Sequence, residues 1–86
     1  MSKLIFAERA WEECLYWQEN DKNKLKRINL LLKDIARNGY DGIGKPEQLR
    51  HSDGWSRRID DVNRLVYQFN DEGSIEVLQC KGHYDD

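Results

Sequence analysis

The chain is poor in three things. Its 86 residues include one proline, two cysteines and no apolar run approaching the roughly 18 residues of a membrane helix. Two cysteines, Cys14 and Cys80, cannot build a disulfide framework, and in a reducing compartment they are expected as buried thiols. The opening MSKLIFAERAWEE turns acidic before its apolar stretch reaches signal-peptide length, so a cytoplasmic protein without membrane contact is expected. Repeats and low-complexity tracts are also missing, while three Trp, four Tyr and two Phe spread along the chain argue against disorder. This length predicts one domain, residues 1–86, with a modest core.

What is abundant is charge, at 35% of the residues, and the net value of −2 hides its distribution. Between residues 21 and 40, Lys22, Lys24, Lys26, Arg27, Lys33 and Arg37 face only Asp21 and Asp34. Between residues 71 and 86, Lys81 stands against Asp71, Glu72, Glu76, Asp85 and Asp86. A basic segment and an acidic tail nearly cancel. A basic helix face is either simply solvated or a surface for an anionic partner, and the charges alone favour the first.

Hydrophobic periodicity gives the element order. Leu4-Ile5-Phe6 reads as a short strand, and then Ala7, Trp11, Cys14 and Leu15 fall on one helical face, with Trp17 near its edge, to about Glu19. Asn20-Asp21 breaks that helix and caps the next, in which Leu25, Ile28, Leu32 and Ile35 recur at spacings of three and four until Asn38-Gly39. GIGKP, with two glycines and the proline, predicts a shaped loop. Strands are expected near Glu47 to Arg50, Trp55 to Asp60, Arg64 to Phe69 and Ser74 to Lys81, joined by short turns. The order β-α-α-β-β-β-β predicts an α+β domain, a two-helix hairpin on one face of a twisted, mostly antiparallel sheet.

Strand alternation then sorts the polar side chains. If Leu65, Tyr67 and Phe69 point to the helices, Arg64 lies on the open face. If Trp55 and Ile59 point inward, Arg58 joins it. Glu47, Arg50 and the late His83 and Tyr84 fall to the same side. A base, an acid and cations around a phosphate are what RNA transesterification requires, and arginine's planar fork matches phosphate oxygens. An ordinary surface ion pair between Glu47 and Arg58 explains the same pattern, and the residues alone favour it slightly. Three other constellations rate lower. Cys80 and His83 have a metal-like spacing, yet Cys14 sits on a core face and His51 in a loop, so no metal site is expected. Cys80 as a nucleophile is weaker than Cys80 as packing. GIGKP lacks the spacing of a phosphate loop.

The segments WEECLYWQENDKNKLKRINLLLKDIARNGYDGIGKPEQLR, WSRRIDDVNRLVY and CKGHY together resemble the YoeB/Txe branch of the RelE/ParE superfamily of bacterial toxins, from about Leu4 to Tyr84. The resemblance implies a RelE-like microbial RNase fold and a type II toxin that cuts mRNA in the ribosomal A site without metal or cofactor. It also implies a cognate antitoxin of the YefM/Axe kind, and in some members a homodimer. Transferred by motif, Glu47 is the general base, Arg58 and Arg64 stabilise the transition state, His83 is the general acid and Tyr84 orients the substrate. Lys45, Arg50, His51 and Arg57 are expected to contact RNA, and Lys22, Lys26, Arg27 and Lys33 to face the ribosome. The chain departs from the usual pattern at Arg50, often lysine, at Asn63, often histidine, at Gly82, usually aromatic, and in Asp85-Asp86 after the HY pair. The loop before Trp55 is also about two residues short of the usual length. The rival reading is a non-catalytic protein on the same scaffold, of the gyrase-poisoning type or an antitoxin decoy.

Overall fold

A computed structural model describes residues 3–83. The elements are β1 (Leu4–Phe6), α1 (Glu8–Asn20), α2 (Lys22–Asn38), β2 (Glu47–Gln48), β3 (Trp55–Arg58), β4 (Arg64–Phe69) and β5 (Ile75–Gln79). The strands form one sheet in the order β1-β5-β4-β3-β2. β1 runs parallel to β5, and the other neighbours are antiparallel. The expected α+β architecture with a helical hairpin is therefore the observed one.

Asp21 joins the helices without a linker. Its N–H donates to the Trp17 carbonyl and closes α1, while its carboxylate accepts the Asn23 and Lys24 N–H groups at 3.1 and 3.4 Å and opens α2. Gly39, at φ 65°, ends α2 where a side chain would be strained. From α2, Ile28, Leu31, Leu32 and Ile35 enter the core, each fully buried aliphatic contributing about 1.5–3 kcal/mol. Leu65 and Tyr67 of β4 and Ile75 and Val77 of β5 face them.

α1 departs from expectation. Its buried face is Ala10, Cys14 and Trp17, whereas Trp11 is 48% exposed and Leu15 38% exposed. Helical spacing groups Trp11 with Cys14 and Leu15, but the end of β5 needs a small residue and a donor beside it. The Ala10 carbonyl accepts the Cys80 thiol at 3.3 Å, and Trp17 Nε1 donates to the Cys80 carbonyl at 2.8 Å. Trp11 instead meets Phe6 edge-on at 6.1 Å.

The later strands are also shorter than expected. β2 stops at Gln48, and one further bond from the Leu49 N–H to the Gly54 carbonyl closes its turn. β3 stops at Arg58 because the Ile59 and Asp60 N–H groups both donate to the Asn63 carbonyl. A register shift between Val66 and Tyr67 brings Gln79 opposite Val66 while Val77 stays opposite Tyr67. Such a bulge changes the alternation, so Gln79 joins the open face and Cys80 turns inward.

Candidate functional site: a basic cleft on the open sheet face

The site begins with a residue it does not contain. Arg57 lies on the core side of β3 and is 0% exposed. Its Nε donates to the Tyr67 hydroxyl at 3.1 Å, and Nη1 donates to the Asp34 carboxylate and to the Ile43 carbonyl at 3.1 Å. Nη2 donates to the carbonyls of Gly39 and Asp41 at 2.9 and 2.6 Å. One guanidinium thus gathers the whole loop from 39 to 43. Hydrogen bonds from Arg57, with help from Ile43 and Asn38, hold the Asp34 carboxyl below the ordinary carboxylate range. Gly42 is required because a Cβ there would sit 1.9 Å from Asp34 Oδ2. The Gly44 carbonyl then accepts the Arg58 N–H at 2.7 Å, which fixes the approach to Glu47. Arg57 is therefore corrected from an RNA contact to a buried scaffold residue, since alternation turns it away from its neighbour Arg58.

On the opposite face five expected residues come together: Glu47, Arg50, Arg58, Arg64 and His83. Arg58 pairs with Arg64 directly across β3 and β4, and Glu47 pairs with Ser56, the residue two before Arg58. A cleft of about 320 Å³ is lined by Glu47, Gln48, Leu49, Arg50, Ser56, Arg58, Arg64 and His83. Like charges directly opposite each other in a sheet repel, so the Arg58/Arg64 pair is favoured by an anion between them. The sheet order puts Glu47 on the β2 side of that pair and the tail carrying His83 on the β4 side, because the Arg64 N–H donates to the Gly82 carbonyl at 3.0 Å.

The tail is anchored at two points. At Cys80, the backbone N–H donates to Glu13 Oε1 at 2.9 Å, alongside the Trp17 and Ala10 contacts. Burial, with the nearby Glu13 and Cys14, pushes the Cys80 thiol up to about 12, which leaves no thiolate for nucleophilic attack. At Gly82, the N–H donates to Asn63 Oδ1 at 2.8 Å, and the carbonyl accepts Gln79 Nε2 at 3.3 Å as well as Arg64. Asn63 and Gly82, two positions where the chain departs from the pattern it resembles, are bonded to each other.

The other expected residues are scattered. His51 lies in a shallower neighbouring groove with Arg50, Ser52 and Asp53. Lys45 is exposed beside the cleft in the left-handed region, at φ 51°. Lys22, Lys26 and Lys33 are exposed on α2, whereas Arg27 is half-buried and donates to the Arg58 carbonyl at 3.3 Å. Tyr84 lies outside the described residues. Among the described residues no three of His, Cys, Asp and Glu gather as metal ligands, and no helix is long and apolar enough to cross a membrane. Sequence reasoning missed Asn63, Ser56 and the Asp34–Arg57 pair, which no local pattern links.

The model of the YoeB-like toxins of bacterial type II toxin-antitoxin systems matches residues 6–84. The chain belongs to that family. Toxin YoeB of Escherichia coli strain K12 is 49% identical over 84 residues, covering 95% of this chain and 99% of the relative. Two YoeB structures from Staphylococcus aureus superpose closely. One is a heterotetrameric YoeB-YefM toxin-antitoxin complex, at a TM-score of 0.88 and 45% identity, covering 98% of this chain and 99% of that chain. The other is a YoeB dimer, at 0.89 and 46%, covering 96% and 98%. The YoeB-like toxins thus share the whole length of this fold, and the basic cleft lies within the matched region.

Proposed function

We propose that this toxin is an endoribonuclease that cuts mRNA at the A-site codon of the ribosome. The observation that carries the reading is the opposed Arg58/Arg64 pair in a cleft shared with Glu47 and His83. Glu47 takes the proton from a ribose 2′ hydroxyl, and that oxygen attacks the adjacent phosphorus. Arg58 and Arg64, with Arg50 nearby, hold the oxygens of the phosphorane as their charge grows. His83 gives a proton to the departing 5′ oxygen as the P–O5′ bond breaks. The products are a 2′,3′-cyclic phosphate and a 5′ hydroxyl, reached with acid, base and cations supplied by protein and no metal. Tyr84 orients the substrate, and Lys45 and His51 extend the contact with RNA.

Exposed Lys22, Lys26 and Lys33 give α2 a basic face for ribosomal RNA, where phosphate contacts supply most nonspecific affinity. That assignment places the protein in the cytoplasm. Because a relative assembles with YefM, the partner proposed here is a YefM/Axe-like antitoxin, and a homodimer is the assembly proposed for the free toxin. Primer extension on a defined mRNA in translating ribosomes tests the reading. Cuts within the A-site codon are expected from the wild type and not from Glu47→Ala or His83→Ala. Uncut mRNA with the wild type would sink it.

A further inference from the structure

The turn between β3 and β4 touches both ends of the proposed chemistry without entering the cleft lining. The Asp60 carbonyl accepts Arg64 Nη1 at 2.7 Å, and the Asn63 carbonyl accepts the same nitrogen at 3.2 Å. From that turn the Asn63 amide bridges outward: Nδ2 donates to Asp60 Oδ1 and Oδ2 at 3.2 and 3.0 Å, while Oδ1 accepts the Gly82 N–H. Gly82, at φ 90°, reverses the chain immediately before His83, a conformation other residues enter only under strain. Asp60 is itself fixed, accepting the Val62 and Asn63 N–H groups at 2.8 and 2.6 Å and Lys24 Nζ at 2.7 Å. The chain of contacts therefore runs Lys24, Asp60, Asn63, Gly82, and it ends one residue before an imidazole.

We propose that Asn63 is a positioning residue, a clamp that couples the placement of Arg64 to that of His83 through one turn. The proposal rests on the nuclease reading for its consequence in catalysis, but its structural content stands apart. The amide is suited to the task because it donates to one partner and accepts from the other. Aspartate at 63 would keep the acceptor for Gly82 but lose both donors to Asp60 and set two carboxylates against each other. Exchanging the pair, Asp60→Asn with Asn63→Asp, restores a donor facing an acceptor; the carboxylate then stands at 63, and Lys24 loses its partner at 60, an outer contact only.

Two measurements test the clamp. The first is single-turnover cleavage of ribosome-bound mRNA by the full chain. Asn63→Ala and Asn63→Asp should each lower the saturated rate by about 100-fold, the scale of an ångström of misplacement, with the half-saturating concentration unchanged within about twofold. The exchanged double variant should recover most of the loss. Lys24→Met, which removes an outer prop only, serves as the stability control and should cut at the wild-type rate. The second is NMR of the Gly82 and His83 amides, which needs no activity. The Gly82 amide proton should shift upfield and His83 should gain fast motion in Asn63→Ala and return to wild type in the exchanged variant. Wild-type cleavage by a folded Asn63→Ala would overturn the proposal, as would a failed rescue. If the wild type cuts nothing, the nuclease reading fails alone, and unchanged Gly82 and His83 signals in Asn63→Ala would then overturn the clamp.

Discussion

Arg57 and Arg58 are adjacent in sequence and opposite in surroundings, so replacing each by methionine separates fold from site. Hydrogen bonds from a charged donor are worth about 1.5–3 kcal/mol each. The carbonyls of Asp41 and Ile43 belong to exposed residues and regain water, and the partly open Asp34 is given no share. The bonds to the Tyr67 hydroxyl and the Gly39 carbonyl remain, so Arg57→Met should lose about 3–6 kcal/mol. A domain of this size has a total stability of about 4–13 kcal/mol. At about 4 °C or more per kcal/mol, Tm should fall by at least about 12 °C. Arg58 is exposed and faces Arg64, so Arg58→Met relieves repulsion and should leave Tm within about 2 °C, or raise it. Its mRNA cleavage should fall by about 100-fold, the scale of losing one transition-state donor. Circular dichroism melts and primer extension read the two effects separately. An Arg57→Met protein melting within about 3 °C of wild type would refute the scaffold role.

Other expectations concern charge. Asp34 and Asp60 ionise in the folded protein below their ordinary value of 3.8; for Asp60, burial opposes this, but bonds from Lys24, Asn63 and Val62 outweigh it. Their stabilisation is full above that value and is lost as pH falls below it, so Tm should drop steeply below about pH 4 and the Asp60→Asn variant should drop less steeply. Cys80, raised from 9.0 to about 12, should resist iodoacetamide at pH 8 in the native protein and react after unfolding; native labelling at the unfolded rate would contradict its burial. Removing Asp85 and Asp86, which lie outside the described residues, should speed cleavage at low salt and change nothing at high salt. An equal rate at low salt would show that the acidic end does not repel RNA.

The helices and β4 were legible because each repeats one pattern: Ile28, Leu32 and Ile35 at helical spacing, and Leu65, Tyr67 and Phe69 in alternation. The lining of the cleft followed from the same alternation, since one parity rule sends Arg58 and Arg64 outward. That rule also sends Arg57 inward, and the RNA role assigned to it ignored this because a buried arginine needs a distant partner to be plausible. Asp34 is that partner, and it stands 23 residues away. The bulge at Val66/Tyr67 was equally unreadable, since the sequence of β5 does not show where its parity changes. Helical spacing placed Trp11 on the buried face and Trp17 at its edge, whereas burial was decided by what Cys80 needed nearby.

The parallel pairing of β1 with β5 has a consequence for synthesis. β5 sits between β1 and β4, so the first strand has no neighbour in the sheet until residues 75–79 exist. Chains emerge from their N-terminus, and here the earliest strand waits for the latest. Both helices and the β2-β3-β4 ribbon can form while translation continues, but the Cys80 anchor, the Gly82 clamp and His83 come after. The proposed cleft is thus completed only after translation has delivered β5 and the residues that follow it.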